Sequence, residues 1–391
     1  MNFLRRASTR QLLIAIVAVV VIAAGSAVAF AGGGGPKPPQ RSLAAALHHA
    51  ATAKPVHGVT ARVKFTDHLI PSGSIGSGSP LITGATGRVW AGNGKLRLEL
   101  QSSAGDTEIG FDGSQVTLYD VAKGTAYTMA VPRHKHAGAG DHAHHAVPSV
   151  ARIQRALARL SQNVDLSGAI AGDIAGQPSY TVRVSPRHSG GLLGSVQLAW
   201  DATHGVPLRI AVYSRTDSSP VLSLEVTDIS FGAVPASDLA VSLAPGTKVV
   251  PVDMPAHPAR PDGMKRTAHR PEVTGAAAVA KALPFRLSAP ASVVGLPRQS
   301  VRLVNWSGSH AAMAVYGHGL GALVVFEQPA TTTGKGSPLR QLPGVSIGGA
   351  SGHELDTALG TLIQFDRAGV RYTVIGSLPP AAAEAAARAI G

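Results

Sequence analysis

Apolar and polar residues alternate strictly through Val59-Thr60-Ala61-Arg62-Val63-Lys64-Phe65, which predicts a strand with one buried face. Ahead of it, Ser42 can cap a short helix over 43–53. The period of two returns at Leu96, Leu98 and Leu100, with Arg97 and Glu99 on the opposite side. Gly92-Asn93-Gly94 joins that run to 88–90 as a hairpin, and Asp112-Gly113 does the same for 107–111 and 115–120. Lys123-Gly124 turns into a further strand at 127–131. Ser149 caps a helix to about residue 160, with Ile153, Leu157 and Leu160 on one face and Arg152, Arg155 and Arg159 on another. That pattern reads as the solvated back of a core helix, with contact to anionic lipid as the alternative. Strand patterns follow at 180–185, 195–200, 207–213 and 221–231. Closely spaced strands with glycine-rich turns predict an antiparallel sheet rather than alternating βα units.

Five prolines at 251, 255, 258, 261 and 271 then interrupt all periodicity and read as an extended linker. Beyond it, strands are expected at 301–305, 311–316, 321–327, 358–366 and 370–376, and an alanine-rich helix from Pro379 to Ile390. The expected layout is a leader at 1–31, a Gly/Pro tether at 32–41, a domain at 42–250, the linker at 251–271 and a smaller α+β domain at 272–391.

The leader is a third kind of pattern. Arg5, Arg6 and Arg10 precede an uncharged stretch from Gln11 to Ala31, densest in apolar residues at 12–24, that ends in Ala29-Phe30-Ala31. A basic start, an apolar run and a small-x-small exit make a secretory signal. The stretch also reaches the roughly 20 residues that a membrane helix needs. Cleaved signal and uncleaved anchor both remain open, and either puts the body on the outer side of the cytoplasmic membrane, anchored or secreted.

Composition narrows the chemistry. The chain has no cysteine, which excludes disulfides, zinc–thiolate sites, a cysteine nucleophile and a lipid-modified cysteine. The formal net charge of +13 suits anionic lipid headgroups or wall polymers, or serves solubility alone. Nucleic acid is not expected as a partner, since no aromatic-plus-basic stacking platform is present.

Constellations that could carry catalysis fail on context. Gly344-Val345-Ser346-Ile347-Gly348 has the G-x-S-x-G spacing of a nucleophile elbow. Pro343 precedes it, more glycine follows, and no acid lies between Ser346 and His353, so a glycine-rich loop is expected. Gly317-His318-Gly319-Leu320-Gly321 reads as a hairpin turn rather than a phosphate loop. His134, His136, His142, His144 and His145 are candidate metal ligands, since paired imidazoles can chelate zinc, copper or nickel. Their Ala/Gly-rich setting reads equally as low-complexity loop. No cofactor is expected, and no enzyme activity.

The stretch 111–120 (FDGSQVTLYD), the strand and turn 198–201 (LAWD), the restart 205–209 (GVPLR) and the closing strand 226–229 (VTDI) resemble the LolA-like lipoprotein-carrier superfamily. That superfamily also holds the N-terminal domain of the RseB/MucB-type envelope-stress regulators. Two domains and a linker look like the RseB layout, in an actinobacterial-type member. The resemblance covers about half of the chain. It implies an α+β fold: a half-open antiparallel β-barrel plugged by helices, plus a smaller C-terminal α+β domain with an antiparallel sheet. It also implies an apolar concave face that holds the acyl chains of a lipid or lipoprotein, in a carrier or envelope sensor. Candidate lining residues are Leu96, Leu98, Leu100, Val116, Leu118, Val182, Val184, Leu198, Trp200, Leu208, Ile210, Leu222 and Leu224; ordinary core is the alternative for each. A regulator that binds a membrane-anchored anti-sigma factor is the second functional reading, and a metal-binding protein the third.

Overall fold

The computed structural model describes residues 36–69, 84–131, 148–187, 191–252, 273–306, 309–330 and 342–390. The leader, the histidine-rich segment with His134, His136, His142, His144 and His145, and most of the proline-rich linker lie outside the described residues.

Local chemistry sets the elements as expected in most places. Ser42 Oγ accepts the Ala45 amide at 3.2 Å and starts α1 (Leu43–Thr52). Ser149 does the same for α2 (Val150–Leu160), taking the Arg152 amide at 3.4 Å. Asn93 and Gly94 have φ of 52° and 71°, the two left-handed residues that a tight hairpin turn requires. Asp112 Oδ1 accepts the amides of Ser114 and Gln115, both at 2.8 Å, and so holds the next hairpin turn.

Two meanders make the first sheet. In the first, β1 (Gly58–Asp67), β2 (Ala85–Gly92), β3 (Lys95–Ser102), β4 (Gly105–Phe111), β5 (Gln115–Asp120) and β6 (Thr125–Ala130) pair in chain order. In the second, β7 (Val164–Leu166), β9 (Gln177–Pro186), β10 (Leu193–Asp201), β11 (Pro207–Ser214) and β12 (Pro220–Phe231) follow, with β8 (Ile170–Ile174) beside β9. β1 pairs antiparallel with β12, Val59 opposite Phe231, and joins the halves. The chain then runs over β2 and β3 through a 3-10 turn at Ala236–Leu239. A Cβ on Gly110 would lie 2.3 Å from Val241 Cγ2, so glycine is what lets this segment pass close over β4. It ends as β13 (Lys248–Pro251), which pairs with the edge of β6 in parallel. The expectation of a purely antiparallel sheet is therefore corrected at one edge. A strand that returns by a long crossover is free to run parallel.

The sheet is open, since its end strands β13 and β7 do not pair with each other. Its curvature follows from burial. Val63, Val89, Leu98, Leu208 and Val226 are each 3% exposed or less and form one cluster. Among the described residues no helix residue belongs to that cluster, and these side chains are covered by others of the same sheet and its turns. A sheet whose apolar face covers itself is curled, as open sheets of this strand number tend to be. The result is an open, curled sheet whose halves are joined by the β1–β12 pair, the half-open arrangement expected for residues 42–250.

The second sheet runs β14 (Ser292–Val293), β15 (Leu296–Trp306), β16 (Ser309–Tyr316), β17 (Leu323–Pro329), β21 (Val370–Gly376), β20 (Gly360–Arg367), β19 (Ala350–Thr357) and β18 (Gly344–Ile347), every pair antiparallel. α3 (Ala276–Ala282) and α4 (Pro380–Ile390) cover its inner face, where Ala312 and Ala314 share a core with Ala383, Ala386 and Ala387. Small residues on both sides permit close helix–sheet packing. The glycine-rich loop expected at 344–348 is instead a strand and hairpin turn. Ser346 lies in β18 opposite Ser351, and Gly348 and Gly349 form the turn with φ of 54° and 87°. The two sheets touch directly: Leu192 N donates to Ser377 O at 3.0 Å, Leu193 N to Ser377 Oγ at 2.9 Å, and Ala358 N to Leu69 O at 3.0 Å.

Candidate ligand-binding face

Directly paired residues on neighbouring strands share a face, so the register sorts the first sheet into two surfaces. One is charged. Arg97 bonds to Glu99 and, through Nε at 3.3 Å, to Glu108, and its guanidinium lies 5.3 Å from the centre of the Trp90 ring. Arg209 meets Glu225 at 3.7 Å and Tyr213 Oη at 2.6 Å. Burial raises the Glu108 and Glu225 carboxyls above their usual range, and Arg97 and Arg209 respectively oppose that shift. These contacts set opposite charges against one another on this surface, although Arg209 Nε makes no hydrogen bond among the described residues.

The opposite surface is apolar and continuous. Met129 on β6 lies across from Val116, Val116 from Phe111 and Phe111 from Leu96. The row runs on through Ala91 to Val59 and Phe231. A second row crosses the other half, with Phe65 opposite Leu224, Leu224 opposite Ile210, Ile210 opposite Leu198 and Leu198 opposite Val182. All thirteen lining candidates fall on strands of this surface. They differ in access.

Leu96, Leu98, Leu100, Leu208 and Leu224 are closed into the central cluster. Val182 and Trp200 pack with Tyr180 under α1, against Leu43 and Ala46. This is the end of the barrel that a helix plugs. Val116, Leu118, Val184, Ile210 and Leu222 are half-buried, and Leu198 is 36% exposed. The face thus has a self-filled middle and two accessible flanks. One flank is β4–β6, where Ile109, Phe111 and Met129 are half-buried and Tyr127 is 40% exposed; the other is β10–β12. The β4 and β6 members were not anticipated from sequence. Their signal was the period of two at 107–111 and 125–129, read together with the hairpin register.

The carboxylate most altered by its surroundings lies elsewhere. Glu327 on β17 has no exposed surface. Ser288 N donates to its Oε2 at 2.9 Å, and its Oε1 has no partner among the described residues. Burial pushes its pKa up to about 7, and the Ser288 bond only partly opposes this. Ser288 also bonds through Oγ to the Ile390 carbonyl, tying α4 to the same spot. A cavity of about 1000 Å³ opens beside it, lined by Pro284–Pro290, Pro329, Arg367–Val370, Tyr372 and Ala389. Among the described residues, no group of three or more His, Asp or Glu is placed to hold a metal ion. No helix among them is long and apolar enough to cross a membrane.

No protein-family model and no curated protein sequence matches the chain. Among solved structures it is similar to a chain of the Pseudomonas aeruginosa MucA/MucB complex, at 16% identity over 88% of this chain and 96% of that one, with a TM-score of 0.43. It is similar to a conserved protein from Thermus thermophilus at 12% identity, over 53% of this chain and 98% of that one, TM-score 0.33. It is also similar to a LolA superfamily protein from Nitrosomonas europaea at 11% identity, over 52% of this chain and 99% of that one, TM-score 0.21.

Proposed function

We propose that this chain is a non-enzymatic protein of the cell envelope that binds lipid or lipoprotein acyl chains on the apolar face of the first sheet, as carrier or sensor. The observation that carries the reading is the continuity of that face from β6 to β9, with flanks that stay partly open. Those flanks leave contiguous apolar surface for a ligand to cover. Each methylene buried there stabilises the complex by about 0.8 kcal/mol, so an acyl chain binds without any polar code. Export by the leader expected at 1–31 would bring the protein to the outer side of the cytoplasmic membrane, where such chains are presented. The hydrogen-bonded junction at Ser377 favours a sensor version, in which a state of the first sheet is passed to the second and from there to a membrane-anchored anti-sigma factor.

Titration with a fluorescent fatty-acyl probe tests the assignment. Leu118→Ser and Leu198→Ser change accessible positions, one on each flank, and each should weaken probe binding roughly tenfold while leaving thermal stability nearly unchanged. Arg62→Ser, on the charged face, should bind as the parent does. Equal affinities in all four proteins would contradict the reading.

A further inference from the structure

α2 lies along α1, and His48 Nδ1 sits 2.9 Å from the Pro148 carbonyl just before α2 begins. The two stretches that carry these helices, 36–57 and 148–164, contain Lys37, Arg41, Lys54, Arg152, Arg155 and Arg159 and not one acidic residue. All six cations are exposed. On α2 the arginines fall within a narrow sector at a period of 3.6, opposite the sector of Ile153 and Leu157. Leu157 packs toward the core under α1, so the arginine sector points outward. The helix buries no residue completely, which is unusual for an element kept only for packing. Among the described residues, none of these three arginines pairs with a carboxylate. Asp165, the first acid beyond α2, is engaged by Arg187 at 3.3 Å.

A second observation ties this surface to the chain that precedes it. Tyr180 Oη donates to the Pro39 carbonyl at 2.6 Å, so the chain just ahead of α1 is fastened to the first sheet. The uncharged run of the leader stops at Ala31, and the few residues to Pro36 extend at most roughly 18 Å. An uncleaved leader held in the bilayer would bring the helix pair within reach of the headgroups.

We infer that α1 and α2 form an electrostatic docking face for an anionic phospholipid bilayer surface, orienting the barrel against the membrane. The lipid headgroups are contacted and not penetrated, because the apolar sector of α2 is turned inward. Docking of this kind is screened by salt. The inference does not depend on the acyl-binding reading, which concerns the apolar face of the sheet and not the outward arginine sector of α2.

The absence of cysteine allows a clean test with the full chain. Gln154→Cys on α2 gives a single site for a donor dye, and vesicles carry a headgroup-linked acceptor. Energy transfer should be strongest on phosphatidylcholine vesicles enriched in phosphatidylglycerol, clearly weaker on phosphatidylcholine alone, and lowered to that second level by high salt. Arg152→Gln, Arg155→Gln and Arg159→Gln together should lower the docked-to-undocked ratio about a hundredfold, roughly fivefold for each arginine, equivalent to about 1 kcal/mol apiece. The corresponding triple lysine variant should retain docking, and circular dichroism should show both variants folded. Equal transfer on both vesicle types, or no change in the glutamine variant, would overturn the inference. So would capture by a soluble anionic wall polymer without docking on vesicles.

Discussion

Raising the pH from about 5 to about 8 should weaken the second sheet by up to about 3 kcal/mol, and Glu327→Gln should abolish most of that loss. The ordinary carboxyl value of 4.5 describes Glu327 in the unfolded chain, whereas the folded value is about 7. A pKa raised by folding means that the folded state holds the proton more tightly. The stabilisation is therefore complete below about pH 4.5 and is lost as the pH climbs through 7. The physical cause is burial of a carboxyl with one oxygen bonded only to Ser288 N and the other unpartnered. A glutamine keeps an oxygen to accept from Ser288 N and has no charge to bury. Denaturant unfolding across this range should give a sloping stability for the parent and a flat one for Glu327→Gln. Hydrogen exchange at the Ser288 amide should speed up with pH beyond its intrinsic trend in the parent alone. A flat parent profile would show that Glu327 ionises freely.

Gly87→Ala should destabilise the first sheet by about 3 kcal/mol or more. A Cβ at this position would lie 1.8 Å from the Glu99 carbonyl oxygen and 3.2 Å from Leu100 Cα. Both are backbone atoms of β3, directly across the ladder, and cannot rotate away. The bend that this close approach permits is part of how β2 and β3 carry the curl, as glycines at barrel corners do. Gly232→Ala provides the comparison, since a Cβ there meets nothing within 4 Å and its backbone is not left-handed. It should change stability by no more than about 0.5 kcal/mol. Unfolding midpoints in urea decide the matter, with similar midpoints for the two variants counting against the curl described above.

The parts of this fold that were legible in the sequence are those set by neighbouring residues. Leu96, Leu98 and Leu100 against Arg97 and Glu99 declare a one-sided strand, and Asn93-Gly94 declares its turn. Ser42 and Ser149 announce their helices. What stayed hidden depends on partners far along the chain. β13 is a four-residue strand whose pairing with β6 follows a crossover. β7 has three residues and β18 has four, too few for a period to show, and the glycines around Ser346 suggested a loop. α3 hides in an alanine run that has no polar face to mark it. Access to the apolar face is equally non-local. Leu98 and Leu198 sit at the same point of their alternations, yet one is closed into the core and the other is 36% exposed. Only the curl and the position of α1 distinguish them. Glu327 did carry a signal, because it continues the inward positions of Leu323 and Val325, but an inward carboxylate gains meaning only when its surroundings are known.

If the continuous apolar face is a binding surface, the protein should leave its native host with something on it. Gentle purification without detergent, organic extraction and mass spectrometry of the extract is the most direct measurement. The account predicts acyl lipids or lipoprotein fragments in near-stoichiometric amount, reduced in the Leu118→Ser and Leu198→Ser proteins. Repeated preparations of folded parent protein that carry no acyl chain, and that bind none when it is offered, would contradict it.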